Sequence, residues 1–179
     1  MKIVLSIFLV VAGILVLLLL VALFTKKEFS LVKKVVINKP KEEVFNYLKM
    51  IKNQETYSVW VMRDANVKIV YSGTDGTPGF ISSWQSNDKN VGVGEQEIKQ
   101  IKEGESMEVE IRFTKPFEAT NWSRTELRTE ANGQTSVTNE FYGKSKFPMN
   151  IMNLFMDKMI GKDMQQNLEN MKRNIEKQL

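Results

Sequence analysis

The chain has 179 residues, with 25 Lys and Arg, 21 Asp and Glu, and neither histidine nor cysteine. These absences exclude zinc sites built from Cys and His, disulfides, cysteine nucleophiles and every catalytic triad that uses an imidazole base. The formal net charge of +4 is small, and the charged residues are mixed in sign without a basic stripe, so we predict no nucleic-acid partner.

The first predicted element is an apolar run from Ile3 to Phe24, which is interrupted only by Ser6 and Gly13. As an α-helix this run would be about 33 Å long, enough to cross a hydrocarbon core of roughly 30 Å. No small-residue cleavage site follows it, which favours an uncleaved anchor over a signal peptide. We therefore predict a single-pass membrane protein with an anchor and short linker at residues 1–27 and one folded domain at residues 28–179.

The lysines that flank the apolar run indicate on which side of the membrane the domain lies. Lys2 precedes the apolar run, and four lysines follow it at positions 26, 27, 33 and 34. The positive-inside rule then favours a cytoplasmic domain by a narrow margin, and the sequence leaves the side open.

After the linker, residues 29–37 are β-branched and roughly alternating, which predicts a strand. Pro40 then marks a helix start, and Val44, Phe45 and Leu48 recur at helical spacing. Residues 53–60 indicate a second short helix or a turn.

The middle of the chain has the pattern of strands and turns. We predict an antiparallel meander, because every connection is too short for a parallel crossover. Asn132-Gly133 is a strong hairpin signal, and Gly92-Val-Gly94 indicates a bulge that bends the sheet. The six strands cover residues 67–71, 79–86, 91–101, 106–115, 119–130 and 135–142.

Helical periodicity returns after Pro148 and continues over about thirty residues, with Gly161 as a possible kink. A helix of this length needs a large partner surface, and the face of the sheet is the one available. The predicted fold class is therefore α+β. The apolar stripe comprises Met152, Phe155, Met156, Met159, Ile160, Leu168, Met171 and Ile175.

The order of these elements is accompanied by a series of short motifs. They are Ile37-Asn-Lys-Pro40 with Val44-Phe45, Trp60 with Asp64, Gly76-x-x-Gly79 followed by Trp84, Gly92-Val-Gly94, Phe113-Thr-Lys-Pro116-Phe117, Thr135-x-Val137, and Gly161-Lys-Asp163 with Leu168 and Lys172. In order and spacing they resemble the polyketide cyclase/dehydrase subgroup of the START-related (SRPBCC) helix-grip superfamily, from Phe29 nearly to the end.

This resemblance implies a helix-grip fold, in which a curved seven-stranded sheet wraps around the C-terminal helix and two short helices follow the first strand. It also implies an apolar cavity between sheet and helix, which holds lipids, sterols or polyketides in related proteins. The chain departs from the family at Gln54, Tyr57 and near Asn139, where members commonly carry tryptophan, so the cavity lining differs.

Large aromatic and thioether side chains, together with strand residues able to orient a polar group, are the candidate ligand-cavity residues. For each of them, ordinary core packing or a solvated face is the competing interpretation. The candidates are Trp60, Trp84, Arg112, Arg124, Tyr142, Met152, Phe155, Met156 and Met159.

The leading hypothesis is a membrane-anchored module that binds a hydrophobic or amphipathic, lipid-like small molecule. One alternative is a non-catalytic interaction or regulatory domain at the membrane. The other is a cyclase/dehydrase-like enzyme that uses Asp64, Tyr142 or a strand arginine for proton transfer. We assign no catalytic residue, metal or cofactor, and we favour a non-enzymatic role.

Overall fold

A computed structural model describes residues 2–177, and residues 178 and 179 of the predicted domain lie outside the described part. The chain starts with helix α1, Lys2–Phe24. Within residues 2–177, α1 alone is long and apolar enough to cross a membrane, a property shared by membrane spans and signal sequences.

Seven strands follow α1 and form one antiparallel sheet in the order β1-β7-β6-β5-β4-β3-β2. Strands β2 to β7 pair in chain order, as the meander prediction required, and β1 closes onto β7. The strands are β1 Glu28–Ile37, β2 Lys68–Ser72, β3 Ile81–Gln85, β4 Val93–Lys102, β5 Ser106–Lys115, β6 Ala119–Thr129 and β7 Thr135–Lys144.

Turn chemistry explains two features of the sheet. Asn132 and Gly133 connect β6 to β7 and have φ values of 63° and 76°, the left-handed conformation that this residue pair tolerates. The register of β4 against β5 shifts between Val93 and Gly94, which confirms the predicted bulge. Gly94 lies opposite Trp84, and a Cβ there would be 2.7 Å from Trp84 Cζ2. The missing side chain therefore lets the indole lie against the strand.

Two short helices connect β1 to β2, as predicted. Helix α2, Lys41–Leu48, begins directly after Pro40, and helix α3 is Val59–Arg63. A 3-10 turn, Ile51–Thr56, lies between them. Val44, Phe45 and Leu48 are buried, so α2 turns its apolar side toward the core.

The chain ends in helix α4, Lys162–Lys177, which packs against β1, α2 and α3. Its stripe of Leu168, Met171 and Ile175 belongs to the same apolar cluster as Phe45 and Ile98. These elements confirm the α+β helix-grip architecture.

The core lies at one end of the sheet. Ile37 near the end of β1, Val137 near the start of β7 and Leu127 toward the end of β6 are almost fully buried. At the other end of the same face, Phe29 and Phe141 are only half-buried. Helix α4 therefore closes one end of the inner face and leaves the other partly open.

The first half of the predicted stripe does not pack as the sequence indicated. Met152, Phe155 and Met159 are exposed, whereas the second half of the stripe is buried. Residues Met149–Phe155 form a 3-10 helix, and Asp157–Gly161 form a single π-helical turn. Because these windings have a different number of residues per turn from an α-helix, their side chains rotate away from the stripe of α4.

Two methionines on this segment give a matched test of the gripping helix. Met171 is 2% exposed and Met159 is 53% exposed. We expect Met171→Ala to lower the free energy of unfolding by about 2–5 kcal/mol, because it leaves a cavity in the core. Met159→Ala should change it by less than about 0.5 kcal/mol. Urea unfolding of the full chain in detergent micelles, followed by tryptophan fluorescence, measures both, and equal losses would contradict this packing.

Candidate functional site

The carboxyl end of α1 is attached to the domain by an asparagine. Asn150 is 1% exposed, and its Nδ2 donates hydrogen bonds to the carbonyl oxygens of Ala22 at 2.6 Å and Thr25 at 2.8 Å. The last four carbonyls of a helix have no partner within the helix, so a buried helix end needs such donors. Ala22 is itself 2% exposed, which shows that the last turn of α1 is packed against the domain.

A second asparagine continues this attachment along the linker. Asn153 Nδ2 donates to the carbonyl oxygens of Lys26 at 3.1 Å and Lys27 at 3.0 Å. The hydroxyl of Ser145 donates to Asn153 Oδ1, and the Ser145 amide donates to the Lys27 carbonyl. The linker is thus held by the turn before α4, and helix α1 and the domain are joined along several residues.

A groove of about 830 Å³ lies at this junction. We call it the junctional groove. Its walls are the last two turns of α1, the first half of β1 and the turn that precedes α4. Its apolar lining residues are Leu20, Val21, Phe24, Phe29, Leu31, Leu154 and Met156.

A row of half-buried apolar side chains leads from this groove across the open end of the sheet. Phe29 contacts Phe141 with ring centroids 5.6 Å apart, and at the far side Phe113 meets Trp84 edge-on at 5.7 Å. Ile111 lies two residues before Phe113 on β5, and Asn121 of β6 separates it from β7. We call the five apolar residues the inner-face row.

Uncharged polar groups lie beside this row. Asn139 Nδ2 donates to the hydroxyl oxygens of Ser123 and Thr125, both at 2.9 Å. Gln54 and Gln96 exchange amide hydrogen bonds, the shorter being 2.8 Å. Gln54 and Asn139, two positions at which the chain departs from the family pattern, therefore supply amides to the inner side of the sheet.

Charged groups lie at the rim of the junctional groove. Lys33 Nζ forms an ion pair with Asp157 at 2.7 Å, and Asp157 and Lys26 line the groove. Gly161 lies under this ion pair, because a Cβ there would meet Asp157 Oδ1 and Lys33 Cε. The polar ends of these side chains give the otherwise apolar groove a charged edge.

Arg112, Arg124 and Tyr142 lie on the outer face, not between sheet and helix. Each alternates along its strand with inward residues, as Arg112 does with Ile111. Arg112 donates to Glu95 at 2.8 Å and to Glu97 at 2.9 Å, and also to Glu110. Its guanidinium is occupied by the protein's own carboxylates. The sequence expectation that these three line the cavity between sheet and helix is corrected by their position.

The other outer-face cluster joins Glu108, Arg124 and Tyr142. Glu108 Oε1 accepts hydrogen bonds from Arg124 Nη2 at 2.7 Å and from the Tyr142 hydroxyl at 2.6 Å. Partial burial opposes ionisation of Glu108, but these two hydrogen bonds outweigh it and lower its pKa below the ordinary 4.5. Burial and the bond to Glu108 raise the pKa of Tyr142 to about 12.

The remaining candidate residues are divided between four places. Trp84 belongs to the inner-face row, and Met156 lines the junctional groove. Trp60 lies half-buried in α3, which packs on α4. Met152, Phe155 and Met159 are exposed on the segment before α4. The structure therefore brings none of these last four into the groove lining.

Sequence reasoning missed Asn150, Asn153 and the site role of Phe29 and Leu31. The two asparagines stand three residues apart in an otherwise apolar stretch, which is a signal for a polar contact. Their partners are backbone carbonyls more than a hundred residues away, and a local pattern does not identify such partners.

Comparison with known sequences identifies one family. A sequence model of the family described as polyketide cyclase / dehydrase and lipid transport matches residues 28–176, which is the whole of the sheet and nearly all of α4. No curated protein matches the sequence.

Solved structures share the fold at low identity. The chain is 13% identical to Ara h 8.0201, with a TM-score of 0.56 over 83% of this chain and 97% of that one. A Mesorhizobium loti protein has 14% identity and a TM-score of 0.59, over 84% and 98% of the two chains. The di-domain ARO/CYC BexL from the BE-7585A biosynthetic pathway has 12% identity and a TM-score of 0.60, over 86% of this chain and 52% of that one.

We expect Asn150→Ala to loosen the junction, because the carbonyls of Ala22 and Thr25 lose the hydrogen bonds that the Asn150 side chain donates. The chain has no cysteine, so nitroxides can be placed at Leu17→Cys on α1 and Val70→Cys on β2, both exposed. Double electron–electron resonance in nanodiscs should give a narrow distance distribution in the parent and a broad one in Asn150→Ala. Asn87→Ala, in an exposed turn, is the control. Equally narrow distributions in the parent, Asn150→Ala and Asn87→Ala would show that Asn150 does not hold the junction together.

Acid should weaken the fold through Glu108. Its pKa is lowered on folding, so its ionised form stabilises the fold above pH 4.5 and this contribution is lost as pH falls through the folded pKa. We expect Glu108→Gln to reduce the free energy of unfolding at neutral pH by less than about 1 kcal/mol. In this variant the free energy of unfolding should also fall less steeply as the pH is lowered. Urea unfolding at a series of pH values measures this. Glu118→Gln, on an exposed loop, should keep the parent's pH profile, and a matching profile for Glu108→Gln would refute the assignment.

Proposed function

The chain belongs to the polyketide cyclase, dehydrase and lipid transport family, and on that premise we propose that it is a membrane-anchored domain that binds an amphipathic, lipid-like molecule. In this proposal α1 with its linker, residues 1–27, is the anchor, and residues 28–179 are the binding domain. The ligand lies in the junctional groove and extends along the inner-face row. The observation that carries the proposal is the apolar groove that connects the last turns of α1 to the open end of the sheet.

The attachment of α1 supports an uncleaved anchor. Its last turn is packed against the domain through Ala22, and Asn150 satisfies carbonyls of that turn. Removal of α1 as a signal peptide would leave the buried amide of Asn150 without its acceptor at Ala22, which is a costly state for a buried donor.

The lining chemistry fits a ligand with an apolar body and a polar end. Phe29, Leu31 and Met156 give the groove an apolar wall, and Lys26 and Asp157 lie at its rim. A volume of about 830 Å³ is within the range of small-molecule sites. An alkyl chain that leaves water gains about 0.8 kcal/mol for each CH₂ that is buried.

The short linker between α1 and β1 keeps this site close to the bilayer, which is the source of the ligand. Only Thr25, Lys26 and Lys27 separate α1 from β1, so the groove stays beside the bilayer and a lipid reaches it at high effective concentration. A lipid that enters from the leaflet does not have to cross water.

The enzymatic alternative has less support. Ser86 Oγ donates to Asp64 Oδ2 at 2.5 Å, and this bond, together with the backbone amide of Asn66, lowers the pKa of Asp64. A carboxylate with a lowered pKa is a weaker base than an ordinary one. Tyr142, the other candidate for proton transfer, lies on the outer face, and its pKa is raised.

Photolabelling tests the ligand site directly. The full chain is placed in nanodiscs that contain a phosphatidylcholine with a diazirine on one acyl chain, and the adducts are mapped by mass spectrometry. We expect adducts on α1 and also on β1 at Phe29 and Leu31, because the acyl chain enters the junctional groove. Met156→Trp should reduce the β1 adducts several-fold by filling the groove, while the α1 adducts serve as the internal standard.

The matched control is Met62→Trp, since Met62 is an exposed methionine on α3 outside the groove. It should leave the β1 adducts unchanged. Adducts confined to α1 in the parent protein would overturn the proposal and favour the interaction-domain alternative.

A further inference from the structure

Exposed apolar side chains outside α1 are concentrated in one short segment. Of the ten large hydrophobic residues beyond α1 that are exposed within residues 2–177, six lie between positions 147 and 159. A monomeric soluble surface seldom carries so many neighbouring apolar groups without a partner. The six are Phe147, Met149, Met152, Leu154, Phe155 and Met159.

We propose that residues 147–159, the interfacial segment, insert into the boundary between lipid headgroups and acyl chains beside α1. The segment is thereby a second membrane contact of the domain. This inference depends on the anchoring part of the proposed function, because it takes α1 as a membrane span.

The position of the segment is fixed by its bonds to α1. Asn150 is bonded to Ala22 and Thr25, and Leu154 lines the junctional groove together with Leu20 and Phe24. Leu20 precedes Phe24 by four residues, about 6 Å along the helix axis. Interfacial helices bury their apolar side about 5–10 Å into the headgroup boundary, so the segment lies at the depth that such insertion requires.

The positive charge around the interfacial segment also suits a surface of anionic lipid headgroups. Lys26, Lys27, Lys146 and Lys158 are exposed and form no ion pair with any described residue. The acidic residue of the segment, Asp157, is paired with Lys33. Unpaired lysines that flank exposed apolar side chains are the pattern that binds anionic headgroups.

Depth measurement by electron paramagnetic resonance tests the proposal on the full chain. Because the chain has no cysteine, single nitroxides can be introduced at Leu154→Cys, Phe155→Cys and Met159→Cys, all of which are exposed. Val70→Cys on the edge strand β2 is the control of similar exposure, and Leu20→Cys is the membrane reference.

In liposomes of phosphatidylcholine and phosphatidylglycerol, collision rates with oxygen and with a water-soluble nickel chelate are compared. We expect the three segment positions to favour oxygen, as Leu20→Cys does, and Val70→Cys to favour the nickel chelate. Segment positions that behave like Val70→Cys would overturn the proposal, and so would spin–spin broadening at Phe155→Cys, which indicates a second copy of the chain as the occupant.

The contact of Lys146 and Lys158 with anionic headgroups is tested in a separate experiment. The Phe155→Cys label should lie deeper in liposomes that contain phosphatidylglycerol than in phosphatidylcholine alone, and the double variant Lys146→Gln, Lys158→Gln should remove this difference. A depth that is the same in both lipids overturns the headgroup contact.

The test of membrane insertion is independent of the test of ligand binding. If Leu20→Cys is accessible to the nickel chelate, the anchor itself fails, and the inference fails with it. If the segment inserts but photolabelling finds no adduct on β1, the ligand site fails and the inference stands.

Discussion

The structure depends on the limited area that one gripping helix covers. Helix α4 has 16 residues, so it is about 24 Å long and roughly 10 Å across. Four of the seven strands, β1, β4, β5 and β7, have ten residues and are about 33 Å long. The sheet therefore presents a larger face than α4 can bury. The apolar stripe of α4 therefore closes the sheet where Ile37 and Val137 lie, and the end with Phe29 and Phe141 remains half-open. A compact core and an accessible apolar surface result from the same packing.

Chain connectivity decides which end of the sheet faces helix α1. Strand β1 begins after a three-residue linker, and its first residues belong to the open end. The apolar surface that α4 leaves uncovered is therefore next to α1 by necessity. Asn150 and Asn153 then fix the two parts against each other by bonding to carbonyls at the helix end and along the linker. The junctional groove exists because these two constraints act at the same place.

Most of the fold was predictable from local signals, and the site was not. Turn residues such as Asn132-Gly133 separate the strands, and the periodicity of Leu168, Met171 and Ile175 predicts the gripping helix. In β5 the alternation of apolar and charged residues already places Arg112 on the outer face. In β6 the inner residues Ser123 and Thr125 are polar too, so alternation there does not distinguish the two faces. The exposed half of the C-terminal stripe is apolar like the buried half, and the change in helical winding is the feature that separates them.

The distribution of charge bears on the kind of molecule that the open end accommodates. Arg112 and Arg124 are neutralised by carboxylates on the outer face, while the polar groups beside the inner-face row are amides and hydroxyls such as Asn139 and Ser123. An ionised group taken into that region would lose its hydration. Lys33, which lies opposite Asn139 on the same face, is already paired with Asp157. Charged side chains are placed instead at the rim, where Lys26 and Asp157 remain near water. A ligand with an apolar body inside and its polar end at this rim matches this division of polar and apolar groups.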